Sequence, residues 1–242
     1  MPASRTLLAI AAAPLLLVMG CASTDASPAA PSTTQQGSNN KAHRPEPREI
    51  PALGKATRAR VPADALQAVL VTGDDKDSSR SMVFRYTRDA DGWKLLGDPW
   101  PSHTADKGWT DHHEEDDLRS PIGVFGLTDA GGLLDNPGTK LPYDHNSQFT
   151  ISGKGIQGEP LDGSFDYVIA INYNRKAGMT PLDPNRPMGK GRGGGIWIHV
   201  DHNGPTHGCV SVSRDHMREL LRWLDPAKKP VVIMGDETAL SR

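Results

Sequence analysis

Residues 196–212 read IWIHVDHNGPTHGCVSV and give the strongest structural signal in the chain. The apolar runs 196–200 and 209–212 have the length and the β-branched composition of short strands. Between them, a cluster of Asp, Asn, Gly and Pro is typical of a turn. We therefore expect the second strand to fold back beside the first as a hairpin, which brings His199 and Cys209 within hydrogen-bond reach.

The same pattern of short apolar runs separated by turn residues continues along most of the chain. Further predicted strands lie at 66–72, 81–87, 93–96, 122–127, 148–151, 167–172 and 231–234. A hydrophobic content of 36% and an aromatic content of 5%, with 25 glycines and 20 prolines, fit short strands joined by many turns. The sequence therefore predicts a mostly β fold, a single β-sandwich or barrel-like domain over residues 64–236 with one or two helices.

One helix is predicted directly after the second strand of this segment. Ser213 has the side chain of an N-cap, and Asp215 in the first turn complements the helix dipole. Pro226 is expected to end the helix. Its apolar face is formed by Met217, Leu220, Leu221 and Leu224.

The first 20 residues have the pattern of a signal peptide. A basic residue, Arg5, precedes the apolar run 7–18, which is too short to span a bilayer core that needs about 20 residues. The run ends in Gly20-Cys21, which resembles a lipoprotein processing box, although an ordinary signal peptide with an incidental cysteine is the alternative. We expect an exported protein of the periplasm or cell envelope, anchored in a membrane by a lipid on Cys21. Because Ala22 follows, that membrane is the outer one if the cell is Gram-negative.

Residues 21–63 differ in composition from the rest of the chain. They are rich in Ser, Thr, Pro, Ala, Gln and Asn and contain few large apolar side chains. Such a segment buries too little surface to offset its ordering entropy. We therefore expect a disordered tether between the anchor and the folded domain.

Cys209 is the candidate nucleophile. Once Cys21 is lipidated, Cys209 is the only free thiol of the two cysteines, and it stands beside histidines. A thiol with a pKa near ~8.5 is largely protonated at neutral pH, and a nearby imidazole can raise its thiolate fraction. Gly208 allows the backbone to approach a substrate, and amides at this point could face an oxyanion. A buried structural cysteine is the alternative interpretation.

The sequence around Cys209 and upstream of it resembles the catalytic domain of the L,D-transpeptidase (YkuD-type) family. Residues 206–210, THGCV, with His199 upstream, resemble the catalytic motif of that family. Residues 119–125, RSPIGVF, resemble its Thr-Pro-x-Gly-x-Phe element, with Ser120 at the Thr position. The segment 166–174 and the glycine-rich run before Ile196 also fit secreted members, so the resemblance extends over about 66–235.

The resemblance implies a cysteine acyltransferase that acts on the stem peptides of peptidoglycan. Cys209 attacks the peptide bond after a meso-diaminopimelate residue, and His199 is the general base, oriented by the backbone carbonyl of Val200. The amides of residues 207–209 form the oxyanion hole, and Thr206 is a supporting residue, as is His207. The thioester is resolved by an amine of a stem peptide or protein lysine, by a D-amino acid, or by water, which makes an L,D-carboxypeptidase the alternative.

Three departures from the family pattern occur near this motif. The loop between base and nucleophile is short, Val200 stands where Gly is common, and Ser211 replaces the usual Arg or Asn. They leave open which acceptor is used.

Two other classes of function fit parts of the sequence. One is a metal-dependent wall hydrolase, because His199, Asp201, His202 and His207 lie close together and residues 111–117 are rich in His and acidic residues. That second run is more simply a solvated loop or lid, and the spacing of the first is not a helical two-histidine spacing. The other class is a wall-binding module that has lost catalysis, against which both His199 and Cys209 argue.

The remaining expectations concern cofactors and partners. We expect no metal and no other cofactor, and we expect a monomer. A net charge of -2 gives no electrostatic basis for binding nucleic acid. Residues 190–192 could meet a substrate carboxylate, although a solvated turn is the simpler interpretation.

Overall fold

Twelve strands and three helices are formed by residues 48–242, which are the residues that the computed structural model describes. The signal peptide, Cys21 and most of the predicted tether lie outside this range. The strands are β1 Gln67–Gly73, β2 Arg80–Asp89, β3 Gly92–Leu95, β4 Trp100–His103, β5 Trp109–Thr110, β6 Ser120–Pro121, β7 Gly123–Gly132, β8 Tyr143–His145, β9 Val168–Ile171, β10 Trp197–Val200, β11 Val210–Val212 and β12 Val231–Asp236. The helices are α1 Lys55–Arg60, α2 Arg214–Trp223 and α3 Glu237–Leu240, with single 3₁₀ turns at Lys190–Arg192 and Pro226–Lys228.

The main sheet closes on itself. Its strands follow the order β1-β12-β7-β9-β10-β11-β4-β2, and β2 also pairs with β1. Closure satisfies the backbone groups that an open edge would leave exposed. The prediction of a mostly β, barrel-like domain is confirmed.

Two hydrophobic clusters share the pair formed by β1 and β12. Along β1, Val69 and Val71 belong to the larger cluster, whereas Ala68 and Leu70 belong to the smaller one. Successive side chains of a strand point to opposite faces, so this pair of strands is covered on both sides. Because both faces are buried, the apolar residues of each strand form a continuous run.

Helix α2 forms as the sequence predicts. The side chain of Ser213 accepts a hydrogen bond from the amide of His216 at 3.2 Å, which caps the helix. The predicted apolar face is fully buried in the larger cluster. A Leu→Ala substitution on such a face typically costs about 2–5 kcal/mol.

The predicted hairpin is wrong, because β10 and β11 are parallel, with Ile198 opposite Val210 and His199 opposite Ser211. The chain does turn after Val200, but the residues that follow run back along another segment. The amide of Thr206 donates to Thr104 at 2.8 Å, and Thr206 in turn accepts from Asp106 at 3.0 Å. Because the chain returns in this way, β11 begins at the same end of the sheet as β10, as a parallel pair requires.

The strand predicted at 148–151 is also absent. Asn146 holds a turn there, since its side-chain oxygen accepts from the amide of Gln148 at 2.9 Å. Phe149 is nevertheless 1% exposed and lies with its ring centre 5.8 Å from that of Trp197. The apolar signal was therefore real, but it belongs to a loop that covers the sheet.

The folded domain extends beyond both predicted boundaries. Within the predicted tether, Ile50 and Leu53 are buried in the smaller cluster and α1 follows them. These apolar residues anchor a segment whose average composition is polar, so the tether prediction does not hold for residues 48–63. At the other end, α3 follows residue 236 and buries Leu240 in the same cluster.

No helix within residues 48–242 is long and apolar enough to cross a membrane.

Candidate active site

His199 and Cys209 lie on the same face of the sheet. Because Ile198 is opposite Val210 in the parallel pair, Cys209 is level with Trp197, two residues before His199. The amide of Trp197 donates to Cys209 Sγ at 3.4 Å, and the thiol donates to the carbonyl of Gly195 at 3.6 Å. The site therefore depends on the parallel arrangement rather than on the predicted hairpin.

A cavity of about 350 Å³ opens between the predicted base and the predicted nucleophile. We call it the first cavity. It is lined by Ile151, Lys154, Gly155, Ile156, Leu161, Ser164, Phe165, His199, His202, Pro205, Thr206, His207 and Cys209. Most of its wall is apolar, and Lys154 is its cationic side chain.

The imidazole of His199 is held by its own chain and by two rings. Its Nδ1 lies 2.9 Å from the carbonyl oxygen of Val200, the contact that the family resemblance implies. A carbonyl can only accept, so Nδ1 carries the proton and Nε2 presents a lone pair. Phe165 meets the ring edge-on at 5.5 Å, and His202 stacks on it at 5.7 Å with 13° between the planes.

Burial favours the neutral forms of both the His199 imidazole and the Cys209 thiol. It lowers the pKa of His199 to about 4, against the smaller opposing effect of the Val200 carbonyl. It also raises the pKa of the Cys209 thiol to about 11, although Cys209 as a residue is partly exposed. Burial is the largest effect on the thiol pKa, and it acts against the expectation that a nearby imidazole raises the resting thiolate fraction. At neutral pH the site holds a thiol and a neutral imidazole.

Thr206 organises the loop that precedes the thiol. Its Oγ1 donates to the carbonyl oxygen of Cys209 at 2.7 Å and accepts from the amide of Gly208 at 3.3 Å. Of the three amides expected to form an oxyanion hole, that of Gly208 is thus engaged in the resting protein. A Cβ at Gly208 would lie 2.9 Å from Ile196 Cδ1, so the glycine permits close packing here. His207 is exposed at the mouth of the first cavity.

A second cavity of about 160 Å³ reaches Cys209 from its other side. Its wall contains the glycine run 193–195 and also His113, Glu115 and Asp116. These three belong to the run 111–117, which the sequence suggested as a metal site or, more simply, as a solvated loop or lid. His113 is buried, with Nδ1 2.9 Å from Asp117 Oδ1 and its ring 5.3 Å from that of Tyr173. The acidic run is thus partly anchored, and it borders the site rather than covering it.

The histidines and acids that motivated a metal site have other partners. Asp201 Oδ1 accepts from Ser211 Oγ at 2.6 Å and lies 2.8 Å from His103 Nδ1, and this contact raises the pKa of His103. His202 faces Glu159. Within residues 48–242, no three His, Cys, Asp or Glu side chains converge so that they could hold a metal ion. Lys190 and Arg192 lie outside both cavities.

Sequence reasoning missed two parts of this site. One is the pair formed by Glu159 and His202, and the other is the apolar wall contributed by residues 151–161. Neither has a local motif, because Glu159 is far from His202 in sequence and meets it only through the fold. The signal that could have directed attention there is an acidic residue, Glu159, within a segment rich in glycine.

The profile of the L,D-transpeptidase catalytic domain (YkuD) family matches residues 67–233. The chain therefore belongs to that family.

Among solved structures, the chain is similar to the helical cell shape determining protein Pgp2 from Campylobacter jejuni, with 19% identity and a TM-score of 0.36. That match covers 71% of this chain and 48% of Pgp2. A second is the Ldtfm-avibactam carbamoyl enzyme, with 16% identity, a TM-score of 0.32, and coverage of 72% of this chain and 50% of that one. The chain thus spans about half the length of these structures. No curated protein matches it significantly.

Proposed function

We propose that the protein is a peptidoglycan L,D-transpeptidase in which Cys209 forms a thioester with a stem peptide. The observation that carries this proposal is the neutral His199, fixed by the Val200 carbonyl, on the wall of the cavity that also contains the Cys209 thiol. Family membership supports the substrate class.

The first half of the reaction is acylation. When the substrate carbonyl reaches the thiol, the S–H proton passes to His199 Nε2 as the S–C bond forms. The negative charge on the carbonyl oxygen is met by the backbone amides of His207 and Cys209, since that of Gly208 donates to Thr206 Oγ1. The C–N bond then breaks, His199 returns the proton to the leaving amine, and a thioester remains.

The second half transfers the acyl group. A neutral acceptor amine attacks the thioester, gives a proton to His199, and the C–S bond breaks with return of that proton to sulfur. Neutral imidazole is required at the start of each half, which the low pKa of His199 provides at neutral pH. Water in place of the amine would give L,D-carboxypeptidase activity, and this is the second candidate function.

Products distinguish the two candidates. Purified protein is incubated with a defined tetrapeptide muropeptide, with and without a second muropeptide as acceptor, and the products are identified by mass. The proposal expects a cross-linked dimer that carries one new amide bond. Tripeptide product alone, with no dimer at any acceptor concentration, would assign the carboxypeptidase activity instead.

The proposed location is the cell envelope, with Cys21 lipidated at the mature N-terminus. The support is the sequence alone, since Cys21 lies outside the described residues. Mass analysis of the membrane-extracted mature protein should show diacylglycerol on Cys21. A soluble mature form with a different first residue would contradict the anchor but leave the catalytic proposal standing.

A further inference from the structure

Residues 151–161, which we call the flap, form part of the wall of the first cavity. The flap folds on itself, since the amide of Gly155 donates to the Glu159 carbonyl at 2.8 Å and that of Leu161 donates to Gly153 at 3.1 Å. Its side chains Lys154, Ile156 and Leu161 line the cavity. These hydrogen bonds give the flap a defined conformation, which fixes the position of Glu159.

Glu159 is inserted into a slot between two glycines. A Cβ on Gly155 would lie 2.1 Å from Glu159 Oε1, and a Cβ on Gly204 would lie 2.2 Å from the same atom. Such distances exclude any side chain at either position while the carboxylate is in place. Gly204 belongs to the loop between His199 and Cys209, so this slot fastens the flap to the catalytic loop. The other oxygen, Oε2, accepts from the amide of Gln157 at 2.8 Å.

The carboxylate in the slot faces His202. Glu159 Oε1 lies 3.3 Å from His202 Nδ1, and the two side chains are 9% and 5% exposed. The contact is not a hydrogen bond, and among the described residues neither atom has a hydrogen-bond partner. Burying a carboxylate opposite a single imidazole costs free energy of folding, because the charge loses its hydration. Such a contact therefore suggests a functional role.

His202 in turn stacks on the predicted base. The two imidazole planes differ by 13° and their centres are 5.7 Å apart. His199 thus has the Val200 carbonyl at one edge, Phe165 at another, and His202 against its face. Of these contacts, only the one with His202 leads to a buried negative charge.

We propose that Glu159 and His202 are positioning residues that act as a unit on His199, with Glu159 acting through His202. The carboxylate orients the His202 ring, and the ring fixes the face of His199. The flap, which lines the first cavity, thereby also holds His199 in position. This inference rests on the proposed function, because it assigns a role in acylation of Cys209.

The electrostatic surroundings of His199 give a second readout. The titratable or charged groups near it are Asp201, His202, Glu159, Lys154, His207 and Cys209. Burial lowers the pKa of His199 most, and His202 lowers it further. Removing the His202 imidazole should therefore raise the pKa of His199 and move the acid limb of the acylation profile to higher pH.

The test measures the single-turnover rate at which a carbapenem acylates Cys209, by intact-protein mass, between pH 4 and pH 8. The variants are Glu159→Gln, His202→Phe and the double variant. The control is Glu219→Gln, which removes an exposed carboxylate that pairs with Arg85 away from both cavities. Melting temperatures are recorded for all of them.

We expect each single variant to acylate about tenfold more slowly, because His199 is then less well oriented toward the thiol. The double variant should be no slower than His202→Phe, and both should show the shifted acid limb. His202→Phe should melt lower than the double variant, because it leaves the carboxylate unpaired in its slot. The control should retain the native rate.

Three results bear against the account. A Glu159→Gln rate within twofold of native would overturn this inference, and so would a double variant whose loss is the product of the single losses. If native protein forms no adduct at all, the proposed function fails and this inference fails with it.

Discussion

The Nδ1 atom of His199 lies 2.9 Å from the carbonyl oxygen of the next residue, Val200, so the base is oriented by its own backbone. In many enzymes a separate carboxylate orients the histidine, and its negative charge raises the basicity of the ring. Here the orienting group is neutral and burial dominates, which explains why the pKa of His199 is as low as about 4.

The first prediction concerns the base itself. General-base assistance supplies ~10²–10⁴-fold in rate, so His199→Ala should slow acylation of Cys209 by about that factor. Circular dichroism should show a folded variant. His207→Ala is the matched comparison, because His207 is exposed and lines the same cavity, and it should lose much less. If His207→Ala is crippling while His199→Ala is nearly silent, the two assignments are reversed.

The second prediction concerns pH. Because burial raises the pKa of Cys209 to about 11, alkylation by iodoacetamide, which needs the thiolate, should be slow at pH 7 and still rising at pH 9.5. Acylation by a substrate analogue uses the neutral pair instead, so it should fall on the acid side only as His199 is protonated near pH 4. Rates are measured by mass across the pH range. An alkylation rate that levels off near pH 7 would mean that a thiolate exists in the resting site.

The lowered pKa of His199 also predicts that the protein is less stable in acid. The pKa of His199 in the folded protein, about 4, is below that of an unfolded histidine, about 6.5, so the unfolded chain binds the proton first. The free energy of unfolding should therefore decrease as the pH falls from about 6.5 to about 4. Urea denaturation at pH 7.5 and pH 5 should show a smaller difference between the two pH values for His199→Asn than for native protein. An equal difference in both proteins would contradict the burial of an uncharged His199.

The fourth prediction concerns Ser211, which departs from the Arg or Asn usual in the family. It is fully buried, donates to Asp201 at 2.6 Å, and contributes to neither cavity at Cys209. We therefore expect Ser211→Ala to lower the free energy of unfolding by about 1–3 kcal/mol while the products from muropeptides stay the same. A change in the ratio of transfer to hydrolysis with unchanged stability would show that Ser211 acts on the substrate.

The sequence predicts local features well where local chemistry decides them. Ser213 caps its helix, Cys209 and His199 line one cavity, and most apolar runs became strands. The parallel pairing of β10 and β11 could not be predicted, because it depends on backbone bonds between Thr206 and residues 104–106. Turn residues at 201–204 are equally compatible with a hairpin, so the choice is made by tertiary contacts.

The electrostatics of the site were equally beyond the sequence. A cysteine near histidines suggests an activated thiolate, yet desolvation of both groups opposes charge separation. Glu159 likewise gains its place only because Gly155 and Gly204 leave room for it. These properties depend on burial and close packing among residues that are distant along the chain.

The central claim is that Cys209 is the nucleophile, and the most direct measurement is the intact mass of the protein after incubation with a carbapenem. Native protein and Cys209→Ser are compared, each with and without a chelator. The account predicts a single mass addition on native protein, unaffected by chelation and absent from the variant. A metal-dependent hydrolase would use an activated water and retain no adduct. Muropeptide turnover that survives Cys209→Ser and stops on chelation would contradict the account.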